Sequence, residues 1–278
     1  MSKDKDSLGD RMKCYERVPQ LQLTRRTPVI IRIDGKAFHT FTKGFNRPYD
    51  VVLSNAMIRT MKDLCRNIQG CVFGYTQSDE ITLVLVDYKT LDSCAWFDNK
   101  VQKICSVAAS MATAYFNKNF TDEVDRFHGS MLDDETHYFT RKYRMSDTSK
   151  AISLYANYTK ATKKSAMFDA RCFNIPKEEV CNCILWRQQD ATRNSVEMLG
   201  RAYFSDKELF KKNCSNIQDM LMEKHNVNWN DVDTRFKRGT ACFKDVDDDG
   251  HSFWVIDFDM PVITQNRDYI EKHVFVGE

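Results

Sequence analysis

The chain has 278 residues, of which 42% are hydrophobic and 29% charged, the balance of a globular protein with a sizeable core and not of a disordered polyelectrolyte. Lys plus Arg exceed Asp plus Glu by only 41 to 39, so total charge neither demands nor excludes a nucleic-acid partner, and any such binding has to come from local clustering. No apolar run approaches the roughly 18 residues of a membrane-spanning helix, and residues 1–6 lack the apolar centre of a signal peptide, so the expectation is a soluble, intracellular, cytoplasmic protein with no membrane contact.

After a polar lead-in over residues 1–26, Thr27-Pro28 opens a β-branched run, 29–33, that predicts a buried strand ended by the turn Asp34-Gly35. A glycine there lets backbone N–H groups of the following stretch, 36–45, approach a phosphate. A plain strand-to-helix turn packed by Phe38 and Phe41 is the ordinary alternative. Pro48 and Asp50 form a helix entry, and Leu53, Met57, Met61, Leu64, Cys65 and Ile68 follow at helical spacing until Gly70. Residues 71–75 and 81–86 read as a hairpin whose bend carries Gln77-Ser78-Asp79-Glu80. A second amphipathic helix is expected over 93–116, from Phe97, Val101, Ile104, Ala108, Met111, Ala112 and Tyr115, and Lys103 lies on it.

Strand, helix, strand, strand, helix is the order of a split βαβ unit. The fold class expected is therefore α+β, a polymerase-palm-like antiparallel sheet with helices packed on one face and a catalytic core over 27–116. Residues 117–165 show weak apolar periodicity. Asp122, Glu123, Asp125, Asp133, Asp134 and Glu135 precede Arg141, Lys142, Arg144, Lys160, Lys163 and Lys164, which predicts a solvated, charged extension; contact of its basic half with RNA phosphates is the sharper alternative.

The remainder, 166–278, begins with a strand over 170–175 closed by Pro176, followed by a long helix over 177–203 containing Trp186-Arg187-Gln188-Gln189-Asp190 and a shorter one near 217–224. Arg235-Phe236-Lys237-Arg238-Gly239-Thr240 is a basic run with an interposed aromatic, suited to backbone phosphates and base stacking or, equally, a surface turn. Asp245, Asp247, Asp249 and Gly250 imitate the opening of an EF-hand loop, but its twelfth position is Ile256, and the flanks read as strands, so the stretch is expected to be a hairpin turn. Ten cysteines at irregular spacings, with no Cys-x-x-Cys pair, read as reduced thiols, with Cys181 and Cys183 the tightest pair.

Asp34 and Asp79 are each an acidic residue at the end of an apolar strand, and both leave the same edge of the sheet. Two such carboxylates make a hard-oxygen site for Mg²⁺. Separated by one amphipathic helix and followed by a lysine-bearing helix, they fit the palm of a two-metal nucleotidyl-transfer enzyme.

Arg32-Ile33-Asp34-Gly35 with Phe38-His39 and Phe41, Tyr75-x-Gln77-Ser78-Asp79-Glu80, Phe168-Asp169-x-Arg171, Trp186-Arg187-Gln188-x-Asp190 and Lys237-Arg238-Gly239-Thr240 stand in an order that resembles the tRNA-His guanylyltransferase family, including its guanylyltransferase-like 3′-5′ polymerases. The resemblance covers residues 28–243. It implies a tetrameric enzyme that adds nucleotides to the 5′ end of tRNA after ATP or GTP activates the 5′-monophosphate, with the 3′-hydroxyl of an incoming nucleoside triphosphate then attacking. By the same resemblance, Asp34, Asp79, Ser78 and Glu80 form the catalytic set, and Asp34, Asp79 and the Gly35 carbonyl hold two Mg²⁺ ions. Lys36, Ala37, Phe38 and His39 offer backbone N–H groups to a triphosphate that Ser78 and Lys103 also contact, and Asp50 lies by the incoming base. Arg47 stands before Pro48 where the family usually has lysine, a change that keeps charge but not geometry.

Arg171, Arg187, Asn194, Lys237 and Arg238 are candidate phosphate or tRNA contacts. At residues 192–195 the chain has Thr-Arg-Asn-Ser where dedicated tRNA-His enzymes carry His-Ile-Asn-Asn, and only Asn194 matches. That departure favours template-directed repair of tRNA 5′ ends over dedicated guanylate addition. A non-catalytic RNA-binding relative and a nucleotide cyclase are the competing readings, and the intact Asp34, Asp79, Ser78 and Lys103 argue against the first of these.

Overall fold

The computed structural model describes residues 7–132 and 148–277. Six strands form one antiparallel sheet: β1 (Val29–Gly35), β2 (Cys71–Gln77), β3 (Glu80–Leu85), β4 (Phe168–Asn174), β5 (Thr240–Val246) and β6 (Ser252–Asp257), in the spatial order β4-β1-β3-β2-β5-β6. The first four strands have the arrangement of the expected split βαβ unit, and the hairpin β5–β6 extends it beyond β2. The helices before and between them are α1 (Leu8–Arg17), α2 (Phe38–Phe41), α3 (Val51–Asn67), α4 (Val101–Leu132) and α5 (Thr148–Thr162). After β4 come α6 (Lys177–Tyr203), α7 (Asp206–Leu209), α8 (Cys214–His225), α9 (Thr234–Arg238) and α10 (Asp268–Val274).

Alternation along β1 divides the core in two. Ile31 and Ile33 point into one layer with α3, α4 and α5, whereas Ile30 points into another with Val180, Cys181 and Ile184 of α6 and Ile270 and Val274 of α10. Helices therefore cover both faces of the sheet instead of one. The reason is that β2 and β3 are apolar on both faces, buried along nearly their whole length, and the second face needs a cover of its own.

The expected second helix is displaced and lengthened. Phe97, Asp98 and Asn99 all take left-handed backbone angles in a short 3₁₀ turn, so α4 starts at Val101 and not at Ser93. It then runs past Phe116, because Ile104, Ala108, Ala112, Phe116, Phe120 and Val124 continue one buried stripe at a spacing of four. Residues 117–132 and 148–162 are thus part of the core and not a solvated extension. Leu154 and Tyr158 of α5 are buried against that stripe, each worth about 1.5–3 kcal/mol on removal from water. Of the charges in that stretch, Asp133, Asp134, Glu135, Arg141, Lys142 and Arg144 lie outside the described residues, while Glu123 is buried and accepts from Arg59, Asn55 and Arg126. No helix among the described residues is long and apolar enough to cross a membrane.

Candidate active site

β1 ends on Asp34-Gly35, and the β2–β3 hairpin turns through only two residues, Ser78 and Asp79, with Ser78 in the left-handed region at φ 51°. Antiparallel register sets Asp34 directly opposite Glu80 on β3 and Asp169 on β4. One backbone bond ties the two turns together: the Gly35 N–H donates to the Asp79 carbonyl at 3.1 Å. Asp34 and Asp79 are thereby held side by side at the sheet edge, as the sequence predicts.

The acidic corner is electrostatically uncomfortable. Burial raises the Asp34 carboxyl above its ordinary value, and the charges of Glu80 and Asp169 add to this while Arg171 and Arg32 oppose it. Burial raises Asp79 as well, aided by the Asp34 charge and opposed by hydrogen bonds from its own amide and from Ser78. A cluster of carboxylates with too little positive charge around it is a site that gains from a cation.

After Gly35, Ala37 takes a left-handed conformation and starts the short helix α2. Gly35 is required by a close approach: a Cβ there would sit 2.3 Å from the Phe38 ring. That ring is buried and packed against Phe41, Phe116 and Phe168 at centroid distances of 5.3, 5.4 and 5.1 Å. Of the amides expected to meet a triphosphate, that of Lys36 is already spent on the Met167 carbonyl at 2.8 Å. Those of Ala37, Phe38 and His39 have no acceptor among the described residues. The same three residues line a cavity of about 540 Å³, open to solvent, together with Arg47, Asp50, Ser78, Asp79 and Arg201.

Asp50 caps α3, accepting from Leu53 N–H at 2.8 Å, and its other oxygen accepts from Asn46 N–H at 2.8 Å and the Tyr158 hydroxyl at 2.6 Å. The carboxylate fixes the floor of the cavity with its oxygens already engaged. Tyr158, which sequence reasoning missed, comes from α5, within the stretch expected to be solvated.

Other expected site residues are placed differently. Glu80 turns from Asp79 into an ion-pair network, accepting from Arg32 at 3.0 Å and Arg187 at 2.9 Å. Arg187, expected to meet phosphate or tRNA, is instead buried: it pairs with Glu80 and Asp190 and packs on the Trp186 ring, its guanidinium 3.6 Å from the centroid. Lys237 is also buried, donating to the Asn230 carbonyl at 2.5 Å, with burial lowering its ammonium first and neighbouring Arg238 second. Phe236, the aromatic offered for base stacking, is occupied by Tyr49 at 4.9 Å. The Arg238 Nε reaches the Met260 carbonyl at 3.4 Å, and Asn194 donates to Asp190 at 3.3 Å.

Lys103 does not line the aspartate cavity. It borders a separate groove with Gln20, Leu21 and Lys100, its ammonium 5.0 Å from the Phe97 ring. Helix α4 meets Cys172 through Cys105 and Phe168 through Thr113, and Cys172 pairs with Ile31 while Phe168 pairs with Gly35, so the end of α4 that bears Lys103 lies toward the end of β1 away from Asp34. Arg171 is exposed and paired with Asp169 at 3.1 Å on the edge strand.

The profile of a family described as tRNAHis guanylyltransferase (Thg1) matches residues 9–176, more than half of the chain. The chain belongs to the tRNAHis guanylyltransferase family. Members are tRNA guanylyltransferases, and this chain is accordingly a nucleotidyltransferase. A bacterial tRNA(His) guanylyltransferase-like protein solved in complex with ATP is 38% identical at a TM-score of 0.78, covering 98% of this chain and 100% of its own. A bacterial protein of the same description in complex with GTP is 36% identical at 0.75, with the same coverage. In sequence, the uncharacterized protein R259 of Acanthamoeba polyphaga mimivirus is 28% identical over 86% of this chain and 77% of its own length. The probable tRNA(His) guanylyltransferase of Dictyostelium discoideum is 24% identical over 78% and 75%.

Proposed function

We propose that this guanylyltransferase-family enzyme extends the 5′ end of tRNA in the 3′-5′ direction and that it repairs truncated ends by templated addition. The observation that carries the reading is the Asp34–Asp79 pair, locked by the Gly35–Asp79 backbone bond beside the open amides of Ala37, Phe38 and His39. A protein that only bound RNA would gain nothing from two unneutralised carboxylates facing an anionic ligand.

Two nucleotidyl transfers balance the reaction. A 5′-phosphate oxygen of tRNA attacks the α-phosphorus of ATP or GTP, forming a P–O bond and releasing pyrophosphate. The 3′-hydroxyl of the incoming nucleoside triphosphate then attacks the activated 5′-phosphate, losing its proton, and the nucleoside monophosphate leaves. The amides of Ala37, Phe38 and His39 hold triphosphate oxygens, Ser78 adds a hydroxyl, and Arg47 and Arg201 supply positive charge at the cavity wall. Glu80 does not touch the reacting atoms; through Arg32 and Arg187 it positions the hairpin that bears Asp79.

Magnesium fits the donor set. No group of three or more His, Cys, Asp or Glu residues able to hold a metal is present among the described residues. Mg²⁺, however, is typically held by one or two carboxylates with substrate phosphates and water completing its oxygen shell, which Asp34, Asp79 and the Gly35 carbonyl provide for. When bound, two such ions lower the pKa of the attacking hydroxyl and neutralise the leaving phosphate.

The departure at residues 192–195 supports repair over dedicated guanylate addition, and we extend the reading to a cytoplasmic homotetramer, which light scattering tests directly. The deciding experiment presents 5′-monophosphorylated full-length and 5′-truncated tRNAs with Mg²⁺, ATP and all four nucleoside triphosphates, followed by 5′-end analysis. Extension of truncated tRNA is expected. Absence of extension on every substrate overturns the function, and guanylate addition to intact tRNA-His alone overturns the repair specificity.

A further inference from the structure

Cys105 of α4 and Cys172 of β4 take no part in the aspartate cavity, yet they face each other where the helix crosses the sheet. The Cys105 thiol donates to the Cys172 sulfur at 3.6 Å, and the Cys172 thiol lies 3.9 Å from the carbonyl of Val101, the first residue of α4. Both are half-buried, within reach of a small solute. The other cysteines differ. Cys14 and Cys94 are exposed, and Cys65, which Cys71 and Cys242 flank, is sealed with them in the core.

The two facing thiols are not equivalent. Cys172 packs against the core layer beneath α4, and burial first, with neighbouring Cys105 second, pushes its thiol up to about 12. It is therefore protonated at neutral pH and a poor nucleophile, which leaves attack to Cys105. Once the Cys105 sulfur is tied up in a mixed disulfide it carries no charge, and one of the causes that keep Cys172 protonated is gone. A disulfide is about 2 Å long, so the sulfurs have to approach by roughly 1.5 Å, a matter of side-chain rotation.

We propose that Cys105 and Cys172 form a thiol–disulfide modification site whose oxidant is a low-molecular-weight disulfide of the glutathione class. The Cys105 thiolate attacks one sulfur of the small disulfide, a mixed disulfide forms, and the other half leaves as a thiolate that takes up a proton. Cys172 then loses its proton and attacks the Cys105 sulfur, and the second small thiol departs. Two protein thiols are oxidised by two electrons in all, and one small disulfide is reduced to two thiols. The bond closes a loop between residues 67 apart that contains α5 and so Tyr158, whose hydroxyl holds Asp50. It also fastens α4 to the strand that sets Asp169 opposite Asp34. None of this depends on the nucleotidyl-transfer reading.

The test places the full chain in glutathione buffers graded from fully reduced to fully oxidised, followed by acid quench, alkylation and peptide mass mapping. A peptide pair linked through Cys105 and Cys172 is expected to accumulate as the buffer becomes oxidising and to vanish with dithiothreitol. Oxidation should raise Tm by roughly 4–8 °C, as loop closure restricts the unfolded chain. The exposed thiols are removed in a parallel Cys14→Ser/Cys94→Ser chain, in which the linked pair should form unchanged.

Single variants separate the roles. Cys172→Ser is expected to gain the mass of one glutathione at Cys105 and to keep it, because no second thiol resolves it, whereas Cys105→Ser should leave Cys172 unmodified. Absence of the linked pair from the wild type at every buffer ratio overturns the site, and that map depends on the folding of no variant. Glutathione on Cys172 in Cys105→Ser, as fast as on Cys105 in Cys172→Ser, overturns the assignment of Cys105 as the attacking thiol.

Discussion

Replacing Glu80 by glutamine removes one negative charge from a buried network and leaves its shape intact. The carboxylate accepts from Arg187 at 2.9 Å and from Arg32 at 3.0 Å, and the side chains of Glu80 and Arg187 are only 9% and 7% exposed. After the substitution, Arg187 keeps, among the described residues, only Asp190 at 3.5 Å as an anionic partner. Breaking a buried ion pair from one side costs about 3–5 kcal/mol. The lower end, about 3 kcal/mol, applies because Arg32 and Asp190 are partly exposed and let water soften the loss. A relief term opposes it, since Glu80 is one of the charges that raise Asp34. At about 2 °C per kcal/mol for a chain of this size, Tm falls by roughly 6 °C. Urea unfolding at pH 7 of Glu80→Gln, Arg187→Met and the double variant measures the effect, and the double variant should lose clearly less than the sum of the singles. A loss under about 1 kcal/mol for Glu80→Gln, with strictly additive behaviour, refutes the reasoning.

Asp34→Asn and Asp79→Asn are each expected to abolish nucleotide addition while the protein folds; substantial residual activity in either means the paired carboxylates are not the catalytic groups. Because the folded-state carboxyls are raised, their charge destabilises the fold above those values. Asp79→Asn should therefore raise Tm at pH 7, and the gain should vanish as pH falls below the ordinary carboxylate value of 3.8, which thermal melts across that range check. Gly35→Ala drives a methyl into the Phe38 ring and should cost about 1–3 kcal/mol by overpacking, read from urea denaturation. His273 is half-buried against Phe243 and Phe73, and burial pushes it down to about 4 from 6.5, so the unfolded chain binds its proton first and stability falls as pH drops through that window. His273→Phe should flatten Tm between pH 6.5 and 4; an unchanged slope sinks that assignment. If exposed Arg171 touches a tRNA phosphate, Arg171→Ala should reduce the salt dependence of tRNA binding by about one unit of log–log slope, measured by filter binding across salt concentrations.

The palm was legible because its signals are local. Apolar runs end on Asp34 and Asp79, and the Lys177–Tyr203 helix begins after Pro176 as the sequence predicts. Residues 117–132 were not legible, since Lys118, Asp122, Asp125 and Arg126 crowd the outer face of a helix whose buried stripe is spaced at four, and counting charge hid the periodicity. The partnership of Arg187 with Glu80 spans 107 residues and depends on register and helix placement, which no local pattern encodes. The start of α4 at Val101 follows three left-handed residues, Phe97, Asp98 and Asn99, and nothing in their composition announces that conformation.

The bond from the Gly35 amide to the Asp79 carbonyl is made entirely by backbone atoms. Short of proline at residue 35, no side-chain replacement at either end deletes it outright, so the main chain of the sheet sets the two acids beside each other. The strand ends therefore hold the two acids next to each other through main-chain atoms, independently of the side chains that α3, α6 and α9 set around them.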